Sequence, residues 1–384
     1  MADISKVNAV AIGDVSKISG VAKASISKFG GADVPSGTEQ ATRWIIGGTT
    51  GRAYINDTPT GGFLSQSASG AIGLLWDKGG MTFYNTAYGL DAEEEGRWLL
   101  GGDTSGGGVW YTSASADLYD TNSWVRSAPL NKKLSKRGGP GMMYGNGNWK
   151  AVGSGRHAGS DNRLVMMSSS GVPVANAVTW LEVQDSNFIG TSNTGYVVFH
   201  KEDDTWISPL GVTSFYKTTD ANNWASGSGK IASYEAYCMG YDSDNERYVV
   251  GTNSGKLYYN DDEFVSAPSA SVSPFGTSNV WGVIYVKGTI NKWVAIASNG
   301  KIAYSSDGQA FTASVMPSPI GSSHHMRAIA SDHTTIVAVG ATAGGNNNIL
   351  TSSNGVNWTY VSSSALGTTH FESIACNVVG APTS

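Results

Sequence analysis

The residues best suited to holding a metal ion are His324, His325 and His333, since imidazole is a common zinc ligand. Their spacing argues against it. His324 and His325 are adjacent, so on a strand they point to opposite faces, and no cysteine or spaced carboxylate pair completes a set. No metal or other cofactor is expected. Glu93, Glu94 and Glu95 form the densest acidic run, but a solvated loop accounts for it; glycoside cleavage would need two carboxylates about 5 to 9 Å apart in a cleft. Cys238 and Cys376 lie in the apolar runs Ala-Tyr-Cys-Met and Ile-Ala-Cys-Asn, which predicts buried free thiols. The arginines Arg52, Arg97, Arg126, Arg156, Arg247 and Arg327 fall at different positions of the repeat described below, and only Arg327 is placed on an inner strand. The chain is therefore read as non-enzymatic.

Bulk composition narrows the partners. A net charge of -5 with no basic cluster gives no footprint for nucleic acid, because phosphate neutralisation needs clustered Lys and Arg. No apolar run approaches the roughly 18 residues that span a bilayer, and the N-terminus has no signal-type apolar core. The expectation is a soluble protein, neither inserted in a membrane nor exported by the usual signal. With 50 glycines, 12 Trp and 17 Tyr but only 14% charged residues, the chain suits many short strands joined by tight turns.

Those strands recur. Seven short hydrophobic runs, most ending in Gly, open at Trp44, Trp98, Trp149, Tyr196, Tyr248, Trp293 and Ile336, with spacings of 54, 51, 47, 52, 45 and 43. Each is followed by a Gly- or Asn-rich turn and a second strand, and then by an aromatic: Phe63, Trp124, Trp180, Trp224, Phe264, Phe311 or Trp358. A further small-residue strand precedes most openings, as at 237–241, 280–285 and 327–330. Four strands per unit of about 40 to 50 residues predicts a propeller blade. The first repeat has no inner strand of its own, yet Phe371-Glu-Ser-Ile-Ala-Cys-Asn matches Met326-Arg-Ala-Ile-Ala-Ser-Asp of the seventh. The fold expected is an all-β, seven-bladed β-propeller over residues 41–384, closed by a C-terminal strand that removes an open sheet edge.

The clearest turns read Ser305-Ser306-Asp307-Gly308-Gln309-Ala310-Phe311 and Ser352-Ser353-Asn354-Gly355-Val356-Asn357-Trp358, with Asp220 and Trp224 bounding a looser copy. Asp or Asn can accept from turn N–H groups, Gly supplies φ > 0, and the aromatic packs between sheets. These turns resemble the Asp-box of sialidase-like and BNR-repeat propellers, and the resemblance in repeat architecture covers residues 41–377. In that family the box is a structural turn remote from the active centre, shared by glycosidases, lectins, sorting receptors and assembly factors. Sialidase-like catalysis would require three converging arginines, a Tyr–Glu pair and an acidic residue, and the sequence does not assemble them.

Residues 1–40 form a separate docking arm, with Ser5, Ser16 and Ser27 marking a period of 11. An 11-residue repeat can also mark a helical supercoil, but Ser, Gly and Val dominate, which favours short strands or an extended arm. The arm holds too few apolar residues to fold alone, so Ile4, Val7, Val15, Ile18, Ile26 and Phe29 are expected to order against a partner or another subunit by strand addition, with a disordered tail as the alternative reading. Its phrases Ile-Ser-Lys-Val-Asn and Ile-Ser-Gly-Val-Ala-Lys resemble the N-terminal segments of tail and virion proteins of tailed bacteriophages. The resemblance implies a virion structural protein of the tail, assembled in the host cytoplasm. Its arm docks to other virion proteins, and its propeller presents a surface to a host glycan or protein, either as a single copy or as a homo-oligomer. A carbohydrate-binding lectin or glycosidase, and a cellular propeller-type assembly factor, stay open as alternatives.

Overall fold

The computed structural model describes residues 234–342, 347–361 and 370–377 without interruption, the strands and some flanking residues between 42 and 231, and six two-residue strands before residue 42. The chain divides into two compact units, Met1–Ala41 and Thr42–Ser384.

In the first unit, Lys6–Val7 pairs with Val10–Ala11, Lys17–Ile18 with Val21–Ala22, and Lys28–Phe29 with Ala32–Asp33. Each is an antiparallel hairpin with two residues between the innermost pair, the shortest common connection. The 11-residue period is thus a period of hairpins, not of a helical stripe. Val7, Ile18 and Phe29 sit in these strands; Ile4, Val15 and Ile26 lie outside the described residues.

The second unit holds seven antiparallel sheets among its described residues. Sheet one runs Phe371–Cys376, Trp44–Gly48, Arg52–Asn56, Ile72–Asp77, and sheet two runs Phe83–Leu90, Gly96–Gly102, Gly108–Ser113, Val125–Arg126. Sheet five runs Ala236–Asp242, Arg247–Thr252, Leu257–Asn260, Ser269–Ser271; sheet six runs Val280–Val286, Lys292–Ala297, Lys301–Ser305, Thr312–Ala313; sheet seven runs His324–Ser331, Ile336–Thr342, Asn347–Ser352, Thr359–Val361. From sheet five through six, seven, one and two, the inner strands of neighbouring sheets lie against one another, with Phe371–Cys376 between Phe83–Leu90 and His324–Ser331. The architecture is that of a β-propeller.

The second strands of sheets six, seven and one explain why the repeat is so apolar. Their two faces pack on two different neighbours, so each reads as a continuous hydrophobic run rather than an alternating one. Trp293, Ala295 and Ala297 enter a core shared with sheet five, while Val294 and Ile296 enter one shared with sheet seven. Val337 and Val339 share a core with Ile46 and Ile374, and Ile45 shares one with Trp98 and Leu100. The cores therefore follow one another through sheets five, six, seven, one and two, across the join of the chain ends. At that join Phe371–Cys376 pairs with Trp44–Gly48 from Phe371↔Gly48 to Cys376↔Trp44.

Two details depart from the sequence reading. The second strand of sheet four is Trp206–Leu210, paired with Phe199–His200 and Ser214–Thr218; it opens at Trp206, not at Tyr196, which lies outside the described residues. The proline in Trp-Ile-Ser-Pro-Leu disguised it, since proline argues against a central strand. Sheet three has five strands: the ten-residue Asn148–His157 is long enough to pair both Met142–Gly145 and, further along, Lys132–Leu134. Phe63, Trp180, Trp224, Asp220 and Glu93–Glu95 lie outside the described residues.

Candidate functional site

Five of the inner strands share an irregularity at their start. The register slips by one residue between Phe83 and Asn85, Ala236 and Cys238, Val280 and Gly282, Met326 and Ala328, and Phe371 and Ser373. Each slip is a β-bulge, a device that re-aims a side chain, and the bulged residues are Tyr84, Tyr237, Trp281, Arg327 and Glu372. Four of these form a chain around the ring. The rings of Tyr237 and Trp281 stack at 5.0 Å and 26°; the Arg327 guanidinium sits 4.6 Å over Trp281; and Arg327 Nε lies 4.0 Å from Glu372 Oε2. The belt thus passes from sheet five through six and seven to one.

In four of the five sheets, glycines on the second strand stand opposite the bulge: Gly48 and Gly47, Gly102 and Gly101, Gly251, and Gly340; in sheet six the bulge is bracketed instead by Val280↔Ala297 and Gly282↔Ile296. A Cβ on Gly251 would come within 2.6 Å of both Cys238 Sγ and Val280 Cγ1 of the next sheet, and one on Gly47 within 2.8 Å of Phe83 Cβ. The glycine that ends so many opening strands is therefore the residue that admits both the bulge and the neighbouring inner strand.

The belt is fixed from behind. Trp281 Nε1 donates to Ser298 Oγ at 2.7 Å, and Asn299 N–H donates to His325 Nδ1 at 3.4 Å. Ser373 Oγ donates to the Phe83 carbonyl at 3.1 Å, tying sheet one to sheet two. Burial pushes the Glu372 carboxyl above the ordinary carboxylate range, against the pull of Arg327. Burial, then the charges of Arg327 and His324, hold the His325 imidazole below the ordinary histidine range. His324 is buried and its Nδ1 accepts from Gly321 N–H at 3.1 Å, whereas His325 is half-exposed, so the pair does face opposite ways. Both cysteines are buried and free.

The 305–311 and 352–358 turns lie at the other end of the sheets, where Ser305 pairs with Trp293 and Ser352 with Ile336. Ser305 Oγ accepts from Asp307 and Gly308 N–H at 3.2 and 2.9 Å, and Asp307 Oδ1 accepts from Gln309 and Ala310 N–H at 2.8 and 3.1 Å. Ser352 and Asn354 repeat the pattern with Asn354, Gly355, Val356 and Asn357. Gly308 and Gly355 have φ of 73° and 72°. Phe311 enters the core shared with sheet five, and Trp358 the core shared with sheet six. Arg247 of sheet five grips Asp261 through Nε and Nη2, both at 2.6 Å, and its Nη1 donates to the Asp307 carbonyl, clamping one sheet to the next. These turns hold the ring together; they do not face the belt.

Although burial alone would raise it, the N–H donors, the Ser305 hydroxyl and Arg247 hold the Asp307 carboxyl below its ordinary range. A depressed carboxylate contributes stability that is present above its unfolded value and lost as pH falls through the folded one. Asp307→Asn keeps the acceptor, as Asn354 illustrates, but cannot titrate. Melting temperatures measured from neutral to acid pH are therefore expected to fall less steeply below about pH 4 for the variant than for the native chain. Parallel curves would show that Asp307 gives no acid sensitivity.

Sequence reasoning singled out Arg327 and put Glu372 in register with it, but missed Tyr237 and Trp281. The signal was there: in Ala-Tyr-Cys, Val-Trp-Gly, Met-Arg-Ala and Phe-Glu-Ser one large or polar residue follows an apolar one and precedes a small one. Of the other arginines, Arg52, Arg97, Arg126 and Arg156 fall on second, third and outer strands, away from the inner ring. Among the described residues no cluster of His, Cys, Asp and Glu could hold a metal ion.

No protein-family model and no curated protein sequence matches the chain. Solved structures do. Virginiamycin B lyase from Staphylococcus aureus is 11% identical with a TM-score of 0.52, over 73% of this chain and 85% of that one. The C-terminal WD40 domain of Sif2 is 9% identical with a TM-score of 0.51, over 90% of this chain and 92% of that domain. At such identities the likeness speaks for the fold alone, and that fold is the β-propeller.

Proposed function

We propose that the chain is a non-enzymatic structural protein of a tailed-bacteriophage particle, with the hairpin arm docking to other virion proteins and the propeller presenting a host-recognition surface. One observation carries this reading. The strands of Met1–Ala41 pair only among themselves among the described residues, and every sheet of the propeller is built from later strands. Among the described residues the arm contributes no strand to the propeller's sheets, yet it repeats one hairpin three times at a fixed interval, as a segment does when a partner reads it. Short antiparallel strands with open edges can extend a partner's sheet by strand addition.

Deleting residues 1–35 is expected to abolish incorporation into particles, measured by quantitative mass spectrometry of purified virions, while the melting temperature of the propeller stays within about 1 °C of the native value, as for a change outside the cooperative unit. Normal incorporation of the deletion would refute the docking role. A glycan-array signal from the propeller in a chain never found in particles would replace this reading with that of a lectin.

A further inference from the structure

We propose that Arg327 anchors a binding site for a small oxyanion, a carboxylate or phosphate group, at the end of the ring where the inner strands bulge. This goes beyond the docking role of the arm and does not depend on it. Among the described residues the Arg327 guanidinium makes a ring contact with Trp281 and a charge contact with Glu372, but donates no hydrogen bond; its Nε is buried without an acceptor. Arg247 shows the contrast, with its fork filled by Asp261 and the Asp307 carbonyl.

A guanidinium is built of donors alone, and leaving them unpaired away from water is unfavourable. Here the side chain is still 32% exposed, so the fork remains open to a ligand. The bulge aims it, the Trp281 face carries it by cation–π attraction, and Ser298 holds that indole from behind. The planar fork matches the two oxygens of a carboxylate or phosphate. Glu372 is too far to fill that role, at 4.0 Å from Nε, and its charge competes with an incoming anion. Removing the Glu372 charge is therefore expected to strengthen binding, an effect that a purely structural Arg327 would not produce.

The test uses the full chain with two probes, glucuronate followed by saturation-transfer NMR and inorganic phosphate followed by phosphorus line broadening. Binding of glucuronate alone assigns the site to carboxylates, binding of phosphate alone to phosphates, and binding of both to the shared chemistry. Arg327→Gln is expected to weaken the bound probe by roughly tenfold or more, the loss typical of a charge-assisted hydrogen bond. Arg327→Lys is expected to fall between, keeping charge without the fork, and Glu372→Gln to tighten binding. Binding of neither probe overturns the proposal, as does unchanged affinity in a folded Arg327→Gln. Should that variant melt early, Glu372→Gln decides, and an affinity that fails to rise there also overturns it.

Discussion

Removal of residues 371–384 is expected to unfold the ring rather than trim it. The strand Phe371–Cys376 is the inner strand of sheet one, and Phe371, Ile374, Ala375 and Cys376 are all buried. It serves two cores at once, since Ile374 packs with sheet seven and Ala375 with sheet two. Burying Phe371 and Ile374 contributes about 1.5 to 3 kcal/mol each, and the loss of a whole ladder is added to that, against a net stability of roughly 5 to 15 kcal/mol for a typical domain. Deletion also exposes one edge of Trp44–Gly48, an apolar strand left paired only with Arg52–Asn56. The expected result is loss of the cooperative thermal transition by circular dichroism, with aggregation. Phe371→Ala is the graded version: the ring loses its edge-on contact with Tyr54 at 5.5 Å and leaves a cavity, costing about 3 to 5 kcal/mol. A truncated chain that melts like the native one would sink the closure model.

The second large effect is expected from a single methyl group. In Gly340→Ala the new Cβ would land on the carbonyl oxygen of His325, a backbone atom of the neighbouring strand that no rotamer change can move aside. The register there is fixed by Met326↔Gly340 and Ala328↔Val339, the two pairs that bracket the Arg327 bulge. Relief requires the strands to part or the bulge to migrate, so the cost is expected at or above the upper end of the 1 to 3 kcal/mol typical of overpacking, about 3 kcal/mol. Gly321→Ala is the control, because its Cβ would meet nothing within 4 Å. The pair of melting temperatures checks the idea, and equal values would mean that the glycine is not needed for close approach. If the bulge migrates instead, Arg327 leaves its place over Trp281 and anion binding falls together with stability.

Much of the fold was legible because a propeller writes the same constraint many times. The both-faces-buried second strand forces a run such as Trp-Ile-Ile-Gly-Gly or Ile-Val-Ala-Val-Gly, and the match between Phe371–Asn377 and the inner strand of sheet seven revealed the closing strand. Legibility failed where one local rule overrode the pattern, as with the proline of Trp206–Leu210 and the ten-residue strand of sheet three. The site was harder to see. A bulge is a property of two strands in register, so no single strand announces it, and Tyr237 and Trp281 read as ordinary packing aromatics. The terminal glycines were visible as a recurring letter, but their purpose depends on a carbonyl or side chain from a different strand. The turns at 305–311 and 352–358 were readable because their chemistry is local, although the serine hydroxyl two residues before Asp307 and Asn354, which accepts two N–H groups in each, carried no signal of its own.

The pairing of the chain ends also sets an order of events during synthesis. Arg43 N–H donates to Asn377 Oδ1 at 2.6 Å across 334 positions. At a translation speed of about 10 residues per second, the first propeller strand leaves the ribosome roughly half a minute before its partner exists. Throughout that interval Trp44–Gly48 offers an unpaired backbone edge to any extended chain nearby, including the same segment on an adjacent ribosome of one message. Slow, non-local closure of this kind favours swapped or aggregated products when synthesis is crowded, so yield in the folded state is governed by how densely the message is translated as much as by the stability of the finished ring.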